Sequence, residues 1–150
     1  MQKITPFLMF NNQSGEAMNF YVSVFRNARI IRQGRGGDGR VNSGTFEIEG
    51  QQFHCYDGGP SFGFAQGFSL FVNCETQDEV DALWDKLAAG GEIQRCGWLK
   101  DRFGVSWQII PSILGKGLQD RDPARAKRVM QAMLGMKKLD VAQLERAYNG

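Results

Sequence analysis

Two stretches of this chain, about sixty residues apart, run through the same order of strand, helix and further strands, and that duplication narrows the folds open to it. Residues 4–10 (ITPFLMF) form an apolar strand pattern, and Ser14 then offers a cap to a helix beginning near Glu16. Ala17, Phe20, Tyr21, Val24 and Phe25 fall on one face of that helix. Residues 68–74 (FSLFVNC) repeat the strand, Thr76 and Glu79 make a capping-box pair, and Val80, Leu83, Trp84, Leu87 and Ala88 repeat the helical face. The helical faces match at an offset of 63 and the strand ends at 62, Asn11 corresponding to Asn73, so one added residue in the turn reconciles them.

Each helix is followed by three strand-like segments. These are residues 28–33, 41–49 and 51–56 in the first half, and 92–96, 98–101 and 105–110 in the second. The fold class expected is α+β, two βαβββ modules, each a small mixed sheet with a helix on one face. The other sheet faces must be buried or line a ligand cleft. Gly34, Gly36, Gly37 and Gly39 make residues 33–40 a flexible loop. They do not cradle a phosphate, because strands follow them where a phosphate site needs a helix. After Pro111 the pattern turns helical. Asp122 caps, Pro123 suits a first turn, Ala126, Val129, Met130, Met133 and Leu134 form an apolar stripe, and a last helix covers residues 140–148. The expected organisation is a paired domain over residues 1–111, with halves of about 1–60 and 66–111, and a helical extension of that domain over 112–150.

Composition excludes several classes. The longest apolar runs fall far short of the roughly 18 to 20 residues that span a bilayer, and no basic-then-apolar leader opens the chain, so a cytoplasmic protein without membrane contact is expected. Cys55, Cys74 and Cys96 are odd in number and widely spaced, which suggests reduced thiols with neither a disulfide framework nor a zinc ribbon. Residues 111–150 carry 8 Lys/Arg against 4 Asp/Glu, too sparse and too poor in aromatics for a nucleic-acid surface. Trp84, Trp98 and Trp107 are expected in the core, and Asp101 with Arg102 is expected to shape the turn before Gly104.

The repeat, with the strings EAMNFYVSVF, YDGGPSF, VNCETQDEVDALWDKL, CGWLKDRFGVSWQIIP and RVMQAMLGMKKLD, resembles the PhnB-like branch of the vicinal oxygen chelate superfamily over nearly the whole chain. That superfamily includes glyoxalase I, extradiol dioxygenases, and the fosfomycin and bleomycin resistance proteins. The branch is also labelled a 3-demethylubiquinone 3-methyltransferase domain. That label conflicts with the sequence, because no strand leads through a Gly-rich turn into a helix. The resemblance implies a divalent metal held by His, Glu or Gln from the first and last strands of each half, and a substrate with neighbouring oxygens.

Gln108, within DRFGVSWQ, stands where the superfamily often has a metal-binding Glu. Aligning Glu49-Gly50 with Phe103-Gly104 sets His54, the only histidine, opposite Gln108 and Phe53 opposite Trp107. Strand alternation then directs His54, Tyr56 and Gln108 to the cleft. His54 and Gln108 are the candidate catalytic and metal-binding residues, with Tyr56, Ser69 and Asp57 as substrate contacts and Glu47, Asp57 or a second subunit as the source of further ligands. The first strands offer Thr5-Pro6 and Phe68-Ser69 where glyoxalase-like enzymes supply histidine, which leaves the metal site short of donors. Two readings stay open: a small-molecule enzyme, metal-assisted, of lyase, isomerase or dioxygenase type, and a non-catalytic small-molecule binding or sequestration protein of bleomycin-resistance type. A homodimer is expected in either case, since half-barrels and an apolar tail helix need covering.

Overall fold

Alternating apolar residues and two short turns build the first sheet in the computed structural model, which describes residues 2–150. Strand β1 (Phe7–Phe10) leads into helix α1 (Ser14–Val24), and β2 (Ala28–Arg35), β3 (Val41–Ile48) and β4 (Gln51–Asp57) follow. The sheet order is β1-β4-β3-β2, with β1 parallel to β4 and the rest antiparallel. The second half repeats this plan in β5 (Ser69–Cys74), α2 (Gln77–Ala88), β6 (Glu92–Ile93), β7 (Trp98–Lys100) and β8 (Ser106–Pro111), ordered β5-β8-β7-β6. The two halves therefore share one order of elements and one strand order, which fits the duplication expected from the sequence. The chain divides into two compact units, residues 1–63 and 64–150.

In the first unit, Ala17, Met18, Tyr21 and Val24 of α1 are buried over the sheet. Tyr21 stacks on Phe46 with ring centroids 5.7 Å apart, and Phe46 stacks on its cross-strand partner Phe53 at 5.1 Å. Met18 comes this close because Gly44 lies beneath it. A Cβ there would sit 2.6 Å from the Arg32 carbonyl oxygen and against the Met18 thioether. In the second unit, Val80, Leu83, Trp84 and Leu87 of α2 are buried over β7 and β8, where Leu99, Trp107 and Ile109 supply the facing core. Trp84 and Trp107 are core residues as expected, and Trp98 is half-buried.

The element ends depart from the sequence reading in ways the backbone explains. β1 begins at Phe7, not at residue 4, because Pro6 has no N–H to give a ladder; its carbonyl accepts from the His54 N–H at 2.9 Å. Ser14 is the first helical residue, not the cap; its N–H donates to Asp57 Oδ1 at 2.8 Å, so the capping acceptor arrives from β4. β2 continues through Gly34 to Arg35, shrinking the expected loop at 33–40 to a hairpin turn in which Gly36 N–H donates to the Arg40 carbonyl at 3.0 Å. In the second half β6 and β7 have two and three residues. The capping box forms at α2, where Thr76 accepts from the Glu79 N–H at 3.2 Å.

The tail comprises α3 (Ser112–Leu118), α4 (Pro123–Leu134) and α5 (Val141–Asn149), with Asp122 and Asp140 as side-chain caps. It builds its own core from Leu114, Val129, Met136, Leu139 and Leu144 against Ile110 of β8. It is further bound by Cys96 N–H to the Met136 carbonyl at 2.9 Å and Gly97 N–H to the Lys137 carbonyl at 2.8 Å. The expected stripe on α4 is split: Val129 is buried, whereas Met130 and Leu134 remain exposed. Among the described residues no helix is long and apolar enough to cross a membrane.

Candidate functional site

His54 is placed by a two-residue turn. Glu49 and Gly50 both have positive φ, of 50° and 81°, which closes a tight hairpin whose twist suits the flanking strands. Counting outward from that turn pairs Ile48 with Gln51, Phe46 with Phe53 and Thr45 with His54. Phe46 and Phe53 point to α1, so Thr45, itself buried, and His54, half-buried, occupy the opposite face. There the Thr45 hydroxyl and His54 Nδ1 form a 2.8 Å hydrogen bond, and the Phe7 ring stands 6.0 Å from the imidazole. The bond fixes the ring and leaves Nε2 as the nitrogen available to another molecule.

The remaining candidates divide between the two faces and the two units. Tyr56 lies two residues on from His54, exposed on the same open face, beside Met9 and Ser43 in register. Asp57, the next residue, turns to the helix side, where it caps α1, so the structure does not bring it to His54 and Tyr56 as a substrate contact. Glu47 is on the open face with its carboxylate held by Arg29 at 3.3 Å. In the second unit, Gln108 and Ser69 do meet, Gln108 Nε2 donating to Ser69 Oγ at 2.9 Å. That bond orients the Gln108 amide and leaves its Oε1 as acceptor. Thr45 escaped the sequence reading, although treating Glu49-Gly50 as a hairpin turn and counting back would have found it.

A tightly held divalent ion needs three or four protein donors. Beside His54 and Gln108 in register, however, the first strands present the phenyl rings of Phe7 and Phe71. Among the described residues, no three His, Cys, Asp or Glu side chains gather into a group that could hold a metal. The residues present do not fit a resident metal ion.

The thiols are no better suited to attack. Burial pushes Cys55 up to about 11, against smaller opposing effects of the Ser14 hydroxyl and Arg32, and it pushes Cys74 up to about 12, with Glu79 adding to the rise. Asp101 is a structural carboxylate, 2% exposed. It accepts from the N–H groups of Phe103 at 2.8 Å and Val105 at 3.1 Å, and from Trp107 Nε1 at 2.8 Å. It shapes the turn before Gly104 as the sequence suggested.

Comparison with known proteins fits this architecture. A family model described as 3-demethylubiquinone-9 3-methyltransferase matches residues 2–110. A PhnB protein from Bacillus cereus with the same description is 40% identical over 73% of this chain and 99% of its own, with a TM-score of 0.69. A Pseudomonas aeruginosa protein, 21% identical over 74% of this chain and 98% of its own, superposes with a TM-score of 0.61. The fosfomycin resistance protein FosX from Listeria monocytogenes, solved with Mn(II) and 1S,2S-dihydroxypropylphosphonic acid, is 18% identical over 71% and 90%, with a TM-score of 0.53. The last two likenesses concern the fold alone. No curated protein matches the chain. The paired sheet topology, the family match and the Bacillus cereus relative together assign this chain to the 3-demethylubiquinone-9 3-methyltransferase (PhnB-like) family.

Proposed function

We propose that the protein is a small-molecule enzyme whose site is the open face of the first sheet, with His54 exchanging a proton with the bound molecule and no tightly held metal required. The observation that carries this reading is the 2.8 Å bond from Thr45 to His54 Nδ1, which holds an imidazole with one nitrogen unused on an accessible face. Phe7 and Tyr56, 57% and 44% exposed, give the apolar part of a ligand surfaces to lie against. Gln108, anchored by Ser69, is oriented in a similar way within the second unit. The methyl transfer in the family's description is not part of this reading. The glycines at 34–39 sit in the β2–β3 hairpin, and the turns that lead from β1 into α1 and from β5 into α2 contain none.

The phenyl rings of Phe7 and Phe71 at the first-strand positions favour a second reading, a protein that binds and sequesters a small molecule without converting it. Screening a metabolite library against chelator-treated protein, with product analysis on every hit, separates the two. The enzyme reading expects product from wild type and none from His54→Ala. Saturable binding without product supports sequestration, and turnover that appears only after a divalent ion is added contradicts both. Homodimerisation belongs to this proposal, because Phe7, Phe68 and Phe71 are more than half exposed in the single chain; light scattering at one chain mass would refute it.

A further inference from the structure

We propose that the molecule bound at the His54 face is an organic anion, a carboxylate, phosphonate or phosphate ester, and that Arg32 is the residue that selects it. This rests on the reading of that face as the ligand site. Four side chains lie in register across the sheet: Phe7 beside His54, His54 beside Thr45, and Thr45 beside Arg32. At about 4.8 Å per strand the row spans about 14 Å. One end is a phenyl ring, the middle an oriented imidazole, and the other end a guanidinium.

Arg32 reaches this face through a break in regular pairing. Ile30 pairs with Phe46 and Arg32 with Thr45, so two residues of β2, Ile31 and Arg32, oppose a single residue of β3. Without that bulge Ile31 would stand opposite Thr45, and Arg32 would turn toward α1. Bulges re-aim side chains in this way. The space beside it is kept clear by Gly34: a Cβ there would collide with Ser43 Oγ and lie 3.8 Å from Arg32 Nη1. Arg32 Nη1 and the Ser43 hydroxyl thus both border the space above Gly34.

Charge completes the argument. Glu47 is the one carboxylate that the strand registers place on this face, and Arg29 holds it at 3.3 Å. Among the described residues no carboxylate pairs with Arg32. A planar guanidinium with neighbouring hydroxyls and no internal counter-ion is suited to a ligand oxyanion, which it binds through charge-assisted bonds.

The test uses phenylphosphonate as the anionic probe and benzyl alcohol as its neutral counterpart, with calorimetry for affinity and the His54 ring resonances for location. Wild type is expected to bind phenylphosphonate with a saturable shift at His54. Arg32→Gln is expected to weaken phenylphosphonate at least about tenfold, the factor of one charge-assisted pair, and to leave benzyl alcohol unchanged. Arg32→Lys should fall between the two. If both probes move His54 equally in wild type and Arg32→Gln, or if benzyl alcohol alone binds, the anion inference falls while the site reading stands. If neither probe moves His54, both fall together.

Discussion

The Thr45 hydroxyl and His54 Nδ1 lie 2.8 Å apart on neighbouring strands, a bond that orients the imidazole of the chain's one histidine. Thr45→Val keeps the shape and removes the hydroxyl, so it separates orientation from packing. Loss of the bond should cost about 1 kcal/mol, read as a lower urea midpoint at unchanged slope. The ring nitrogen shifts of His54 should also move toward a mixture of tautomers. Unchanged nitrogen shifts would mean that Thr45 does not orient the ring.

Asp101 collects three donors inside the β7–β8 turn. Asp101→Ala leaves two backbone N–H groups and the Trp107 indole N–H without that acceptor, and should destabilise the protein by about 3 kcal/mol or more. Chemical denaturation checks this. A loss under 1 kcal/mol would show that water or another group replaces the carboxylate.

Gln77 brackets the tail to α2. Its Nε2 donates to the Leu139 carbonyl at 3.1 Å and to Asp81 Oδ1 at 2.9 Å, and its Oε1 accepts from the Val141 N–H at 2.6 Å. Hydrogen bonding from Gln77 and then Lys138 holds the Asp81 carboxyl below its ordinary value. Gln77→Ala should speed hydrogen exchange at Val141 and through α5 while leaving α1 unchanged. Equal protection in α5 would show that the Leu139 and Leu144 core suffices.

Alkaline pH should weaken the fold through the buried thiols. Their folded values of about 11 for Cys55 and about 12 for Cys74 lie above the unfolded value near 9.0. Above pH 9 the unfolded chain loses these protons first, so the native state binds more protons and stability falls as pH rises toward 11 and 12. Below pH 9 the contribution is complete. Cys55→Ser with Cys74→Ala should flatten the decline in melting temperature between pH 9 and 11.

The repeat was legible because it rests on helical and strand periods, which burial imposes on sequence. The faces of α1 and α2 and the alternation of Phe53, His54, Cys55 and Tyr56 followed from it. What the sequence hid depends on pairing. Thr45 becomes a partner of His54 only through the hairpin register, and Arg32 joins the same face only through a bulge that no local pattern marks. Asp57 was read with Tyr56 because both precede Gly58-Gly59-Pro60. One step along a strand, however, reverses the face, and Asp57 caps a helix. The first-strand neighbours of His54 and Gln108 proved to be Phe7 and Phe71, one or two and two or three residues beyond the respective positions read from sequence.

The central claim, that His54 is the working group of a metal-independent small-molecule site, is tested most directly on the His54 ring itself. A lone histidine gives one unambiguous set of ring signals in untagged protein. These should be followed in chelator-treated protein during titration with a library of small organic acids and alcohols. The account expects at least one compound to shift the ring signals saturably, equally with and without chelator. Ring signals that respond to about one equivalent of zinc or manganese(II), and to no small molecule in its absence, would contradict it.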